Sequence, residues 1–425
     1  RGLGDVYERQ QQNSYVTIPQ ASFSFDNTET AANVDEDIID SLTGGRLVGS
    51  VTSFENFAEC PLRYYLRYGV DLKEREEFTF SPVNFGVVLH AVIREVCDEI
   101  KKNGESYYLI SEEKRREMVK RSVAAITDIY QNSILKDSSR NSFMIKRMED
   151  LADRTIWAMG EQLKCGDFVP FVFEHKFNME VGDGDRKQLM SGTIDRVDIC
   201  ENDTDVYVRI IDYKTGKKDF NIVKTYYGID IQLMVYMEAA MKLVAKMRPG
   251  KNVIPAGVFY YNISDPIVSA TTESAEEIED KIKGELRLKG MVNSDKDIAE
   301  KMDNTEGTSL NIPVSRKADG GFDSRRSKVM NTEQFNMLGR FVDVRAVDTA
   351  DRIAGGDIRR SPYKDGQFSS CDRCPYGAVC GFSVDLPGCN YRKLKKFDDE
   401  ILWNNIKEGV DENGKKMDTG AEERD

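Results

Sequence analysis

The chain has 425 residues, 40% of them hydrophobic and 31% charged, with a formal net charge of −13. That balance permits a sizeable core and excludes wholesale disorder, and no apolar run approaches the ~18 residues of a membrane helix. At ~150 residues per domain the length suggests two or three domains, or one large domain with insertions. The first residue is Arg1 and no secretory n-region follows, so the sequence reads as a piece of something longer.

The acid excess is concentrated at the ends. Residues 1–46 carry a net −5 and 398–425 a net −6, which leaves −2 for 47–397. The first segment is expected to be an acidic linker or strap from a preceding domain, the last an acidic tail, and 47–397 the folded domain. Within it, 111–147 holds nine basic and five acidic residues. Distribution matters more than the sum, so a nucleic-acid partner is not excluded.

In chain order, structure is expected to begin at Ser50–Tyr68, with Ser53 as N-cap and a break at Pro61. Phe85, Val88, Leu89, Val92, Ile93, Val96 and Ile100 recur at the spacing of a buried helix face. Residues 111–165 continue as helix and Pro170 closes that region. Residues 171–177, 190–199 and 206–213 read as strands, the last two separated by the turn-type tetrapeptide 202–205. Residues 229–247 return to helical spacing and 253–262 to a strand. This order indicates an α/β sandwich around a mixed central sheet flanked by helices. Residues 270–345 read as a largely helical insertion with a Gly-rich loop near 318–322. No G-x-x-x-x-G-K-[ST] occurs, so this chain is not itself a P-loop motor.

The sharpest chemistry is Gly192-Thr-Ile-Asp195 followed by Asp212-Tyr-Lys-Thr-Gly216. A hairpin turning at 202–205 pairs Val197 with Ile210 and Asp195 with Asp212. Strand alternation then puts Asp195, Asp212 and Lys214 at one end of an otherwise apolar face. Two close carboxylates repel unless a cation lies between them, and a hard divalent ion with oxygen ligands suits the place. The lysine would act on the attacking water or on phosphate charge. The alternative is a solvated surface ion pair. Gly86-x-x-x-His90 leaves room beside an imidazole that is either a ligand or a core histidine. His175 shares parity with Phe171, Phe173 and Phe177 and is assigned to the packed face. Glu174, of opposite parity, is either a further ligand or solvated. Gln232 and Tyr236 share one helix face, where they hold DNA phosphate, brace the site, or simply pack.

Four of the eight cysteines, Cys371, Cys374, Cys380 and Cys389, fall within 19 positions. Without a secretory signal this points to a reducing compartment, here the cytoplasm, and to a metal or cluster site. Cys371, Cys374 and Cys380 supply three thiolates. Cys60 is the candidate fourth, with Cys389 its rival. Four thiolates suit Zn²⁺ or an iron–sulfur cluster alike. Cys97, Cys165 and Cys200 read as buried small residues.

The motifs Gly86-x-x-x-His90, Gly192-Thr-Ile-Asp195, Asp212-Tyr-Lys214 and Gln232-x-x-x-Tyr236, in that order, resemble the RecB-type branch of the PD-(D/E)xK nucleases. Ile194 replaces the proline of the first signature pair. Residues 307–315, Ser361-Pro-Tyr-Lys364 and Cys371-x2-Cys374-x5-Cys380 are similar to the end of the B subunits of bacterial AddAB helicase–nucleases, a likeness running from about Gly49 to Leu394. The resemblance implies a PD-(D/E)xK nuclease core and a metal-dependent exodeoxyribonuclease. His90, Asp195 and Asp212 would hold Mg²⁺ or Mn²⁺, with the Tyr213 carbonyl and Glu174 as further ligands, and Lys214 would be catalytic. It also implies a [4Fe–4S] cluster on Cys60, Cys371, Cys374 and Cys380. The implied partners are single-stranded DNA, cut on the 5′-terminated strand, and the A subunit of a helicase–nuclease heterodimer, acting in double-strand-break repair without a membrane. Rival expectations are a catalytically silent DNA-end-binding module and a scaffold for the motor protein.

Overall fold

The computed structural model describes residues 34, 48–73, 82–130, 139–181, 188–269, 273–386 and 388–422. Apart from Val34, the expected linker or strap at 1–46 lies outside them. The first elements are β1 (Val48–Ser50), α1 (Val51–Glu59) and α2 (Pro61–Tyr64), with a π-helical turn over Tyr65–Gly69. The break at Pro61 is present: the proline opens α2, where a missing N–H costs nothing. The N-cap is Ser50 rather than Ser53. Its Oγ accepts the Ser53 N–H at 3.1 Å, so the helix starts one turn earlier than expected.

Next come α3 (Pro82–Lys102), α4 (Glu112–Tyr130) and α5 (Ser139–Lys164). The α3 stripe is buried as its spacing predicts, from Val88 to Ile100. Then follow β2 (Val169–Val181), β3 (Gln188–Glu201), β4 (Asp205–Lys214), α6 (Ile222–Tyr226), α7 (Gln232–Met247) and β5 (Asn252–Asn262). Asn202 sets the β3–β4 turn by accepting the N–H groups of Thr204 and Asp205 at 2.9 and 2.7 Å.

The region 270–345 departs from the largely helical expectation. It contains α8 (Ala275–Glu285), β6 (Lys289–Asn293), α9 (Lys296–Met302), β7 (Val329–Met330) and the start of α10 (Thr332–Ala354). β6 and β7 extend the central sheet, so this is not a separate helical appendage. Both strands are too short to give a readable alternation. Gly290 marks the join, because a Cβ there would lie 1.9 Å from the Val258 carbonyl oxygen of β5. The Gly-rich loop is a tight turn, with Gly320 at φ +76°.

After α10 come short pieces: β8 (Tyr363–Asp365), β9 (Phe368–Ser369), α11 (Gly377–Cys380) and β10 (Arg392–Lys393). The acidic C-terminal stretch is helical as α12 (Asp399–Glu422) and docks through buried Leu402 and Ile406.

The central sheet has seven strands. β2 occupies one edge of β3 along most of its length. The other edge of β3 is shared: β1 pairs with it in parallel at Leu189–Ser191, and β4 antiparallel at Arg196–Glu201. Between them the segment 192–195 has a free edge. β5, β6 and β7 continue beyond β4. One apolar core lies between the sheet and α3–α5, the other between the sheet and α1, α7, α10 and α12. This is the mixed α/β sandwich expected from the element order.

Candidate active site

The β3–β4 register is the predicted one, with Val197 opposite Ile210 and Ile199 opposite Val208. The ladder stops at the Arg196–Ile211 pair. Beyond it, Asp195 takes over from the backbone: its Oδ2 accepts the Tyr213 N–H at 2.7 Å. The free edge at 192–195 therefore supplies an acidic side chain where a strand would otherwise pair. Gly192 permits the closure, since a Cβ there would meet the Phe177 ring at 2.7 Å and the Tyr236 ring at 3.0 Å. Gly86 has no such constraint, because a Cβ there would sit in ordinary contact with Thr215 at 3.6 Å.

His90 projects from α3 to the same point. Its Nδ1 lies 3.5 Å from Asp195 Oδ1 and 3.7 Å from Glu174 Oε1. The Tyr213 ring meets the imidazole edge-on at 5.9 Å. Ligand atoms from His90, Glu174 and Asp195 all fall within 4.8 Å of one another, the only such group among the described residues. Glu174 gets there through a left-handed backbone, φ 48°, inside a strand. A non-glycine residue held there costs about 1–3 kcal/mol, so the surrounding sheet must impose it.

That distortion corrects the expectation for His175. Phe173 joins one core while Phe171 and Phe177 join the other, so these residues do not share a face, and His175 is only half-buried. A bulge between Pro170 and Val172 and the left-handed residue at Glu174 together break simple alternation.

Asp212 is almost fully buried on β4, with Lys214 Nζ 2.5 Å from its Oδ2. The ammonium gives Oδ2 its counter-charge, although no hydrogen bond of regular geometry reaches that oxygen. Burial and the charge of Asp195 push the Asp212 carboxyl up to about 7. At His90 burial opposes the charge, but hydrogen bonds with Asp195 and Glu174 outweigh it and raise the imidazole to about 10. The carboxyls of Glu174 and Asp195 and the His90 imidazole converge on one point, while Asp212, already paired with Lys214, stands beside Asp195 outside that group. The donor set of carboxylate oxygens and one imidazole nitrogen fits a hard divalent ion.

Gln232 and Tyr236 form a relay. Lys214 Nζ donates to Gln232 Oε1 at 2.9 Å, and Gln232 Nε2 donates to Tyr236 Oη at 2.9 Å. The residue that aims this relay was not legible in the sequence. Glu55 of α1 is half-buried, and its Oε1 accepts the N–H groups of Ile231 and Gln232, both at 3.0 Å, at the start of α7. Burial, reinforced by Asp230, raises Glu55 to about 7 despite Lys218. Lys218 and Tyr260 in turn hold Asp230 Oδ1 at 3.0 and 2.6 Å. Glu55 sits in the sequence between Phe54 and Phe57, and its partners lie 176 and 177 positions away, so no local pattern announces it.

The four expected cysteines line one pocket: Cys60, Cys371, Cys374 and Cys380, walled by Leu62, Leu66 and Phe382. Burial pushes the Cys60 and Cys371 thiols up, the latter to about 11. Backbone N–H groups of Arg63, Ser361 and Leu62 aim at the Cys60 sulfur and favour its thiolate. Four sulfurs with N–H donors in an apolar pocket fit a thiolate-bound metal or cluster. Cys389 is buried nearby but does not line this pocket. Cys97 and Cys200 are buried as expected, whereas Cys165 is partly exposed.

These features, a carboxylate pair and a lysine at the end of a sheet hairpin, match a known class. The model for the PD-(D/E)XK nuclease superfamily fits residues 49–381, and the chain belongs to that superfamily. The chain is 34% identical over 399 residues to a Lachnoclostridium phytofermentans protein named as the B subunit of an ATP-dependent helicase/deoxyribonuclease, covering 91% of this chain and 34% of that protein. Proteins of the same name are 34% identical in Clostridium acetobutylicum (88% of this chain, 33% of the relative) and 32% in Clostridium botulinum (96% and 36%). The chain spans about a third of the length of the curated relatives it matches. No helix of the described residues is long and apolar enough to cross a membrane.

Proposed function

We propose that this chain is the nuclease region of a helicase–nuclease B subunit, hydrolysing phosphodiesters of single-stranded DNA delivered by a motor partner, the A subunit of the same heterodimer. The observation that carries the reading is the convergence of His90, Glu174 and Asp195 within 4.8 Å, beside buried Asp212 and its lysine. His90, Asp195 and Asp212 would hold the ion, with Glu174 and the Tyr213 carbonyl as further ligands. A bound Mg²⁺ or Mn²⁺ would supply Lewis acidity toward phosphate and a more acidic water.

The chain's own residues do the rest. Lys214, held by Asp212 and Gln232, sits where it can orient the attacking water or neutralise phosphate charge. Tyr236 fixes the amide of Gln232, and Glu55 fixes its backbone. Cys60, Cys371, Cys374 and Cys380 would hold a [4Fe–4S] cluster that would clip the two ends of the domain. Cutting of the 5′-terminated strand, exonucleolytic action in double-strand-break repair and a cytoplasmic setting belong to the same reading and rest on the motif resemblance alone.

The test is cleavage of end-labelled single-stranded DNA with Mg²⁺ or Mn²⁺. Asp212→Ala and Lys214→Ala are each expected to lower the rate by about 10²–10³-fold. Metal-dependent cleavage that persists in both variants would refute the assignment. Binding of DNA ends with no cleavage by the wild type would favour the silent end-binding module.

A further inference from the structure

A cleft of about 1160 Å³ opens at the C-terminal ends of the parallel strands β4 and β5. Carboxyl ends of parallel strands are the usual ligand side of an open α/β sheet. Its floor begins at Thr215, the residue after Lys214 and a neighbour of Gly86 one turn before His90. The cleft therefore runs up to the candidate active site.

Two kinds of side chain in it have no structural task. Phe143 on α5 and Ile267 after β5 line it while 63% and 101% exposed. Lys146, Arg147 and Lys217 also line it, and none has an acidic partner among the described residues. By contrast, two of the acidic lining residues are committed: Asp219 to Lys328 at 2.6 Å and Asp265 to Arg154 at 3.2 Å. Asp150 and Glu285 also face the cleft. Lys289 is half-buried in the lining, where burial and Arg287 disfavour its charge and the nearby Asp219 and Glu285 offset them only in part. A half-buried ammonium beside another cation favours an anionic ligand.

Exposed apolar side chains in the same cleft as uncommitted cations suit a ligand with apolar faces on a polyanionic backbone. A duplex hides its base faces, whereas a single strand presents them. We propose that this cleft is the track that carries single-stranded DNA to the active site, with bases against Phe143 and Ile267 and phosphates against Lys146, Arg147, Lys217 and Lys289. The proposal rests on the nuclease reading above and adds to it the path of the strand.

The test is fluorescence anisotropy of the full chain with a labelled oligothymidylate of about 20 nucleotides, in Ca²⁺ to suppress cleavage. The triple variant Lys146→Ala/Arg147→Ala/Lys217→Ala is expected to weaken binding about 10- to 100-fold and to flatten the log Kd–log salt slope by about 2. Phe143→Ala, at an exposed position, is expected to weaken binding about 5- to 50-fold with an unchanged salt slope. Wild-type affinity in both variants, or equal competition by a blunt duplex, would overturn the track. Hydrolysis of bis-p-nitrophenyl phosphate, too small to need the cleft, separates the two readings. Retained hydrolysis in variants that lose oligonucleotide binding supports the track. Its absence from the wild type sinks the nuclease reading while the anisotropy still judges the track.

Discussion

The carboxylate site and the cysteine site are built in opposite ways. The carboxylates stand on long, paired strands between two large cores, with the ion pair of Arg196, Arg209 and Asp198 fully buried beneath them. Of the cysteines only Cys380 lies within an element, the four-residue α11, while Cys60 joins α1 to α2 and Cys371 and Cys374 sit in turns; among the described residues the separate core beside them is Phe57, Tyr64 and Ile353. One region is rigid before any ligand arrives. The other joins Cys60 to Cys371 across most of the domain and has little apolar burial to hold that closure. On the proposed reading, the first would devote its strain to chemistry, while the second would depend on a bound cluster for cohesion.

Asp212→Ala should separate the two most sharply. Cleavage is expected to fall about 10³-fold while the melting temperature holds or rises, because a buried carboxyl repelled by Asp195 is removed. A collapse of the fold would show that the carboxylates are structural. Cys374→Ala should do the reverse, lowering the melting temperature by about 5–10 °C and removing bound iron, with activity falling as a consequence. An unchanged melt together with iron-free wild type would remove the cluster.

A smaller effect is expected at Glu55. Glu55→Leu deprives the Ile231 and Gln232 amides of their acceptor and should slow cleavage about 10-fold, whereas Glu55→Gln keeps an acceptor oxygen and should restore most of the rate. Equal rates for both variants would dismiss the relay. The smallest effect lies far from either site. Burial, then the hydrogen bond and charge of Glu238, raise Asp343 to about 8. Between about pH 4 and pH 8 the native state keeps a proton that the unfolded chain has released, so this pair destabilises the fold as pH rises through that window. Asp343→Asn should therefore raise the melting temperature by a few degrees at about pH 9 and leave it unchanged near pH 4. An equal shift at both would assign the gain to packing.

Much of the carboxylate site was legible because one hairpin carries it. The turn at 202–205 fixes the register, and although the ladder ends at Arg196–Ile211, Asp195 stays close enough to accept the Tyr213 N–H and to repel Asp212. The α3 stripe likewise put His90 on a predictable flank. Spacing made the cluster of Cys371, Cys374 and Cys380 legible, whereas the choice of Cys60 over Cys389 as its companion came from the motif resemblance. The kink at Glu174 was hidden, because only the packed sheet enforces φ 48° there. β6 and β7, of five and two residues, take their identity from the strands they join. Glu55 was hidden for a third reason: its meaning lies wholly in a contact between distant segments.

The helix α1 touches both regions. Glu55 grips the start of α7, and Cys60, five positions on, enters the sulfur pocket. Each residue of a helix advances about 1.5 Å and turns about 100°. A one-residue insertion or deletion between them could not leave both on target, so the spacing from Glu55 to Cys60 works as a ruler. Substitutions along it should be tolerated far better than any change in its length.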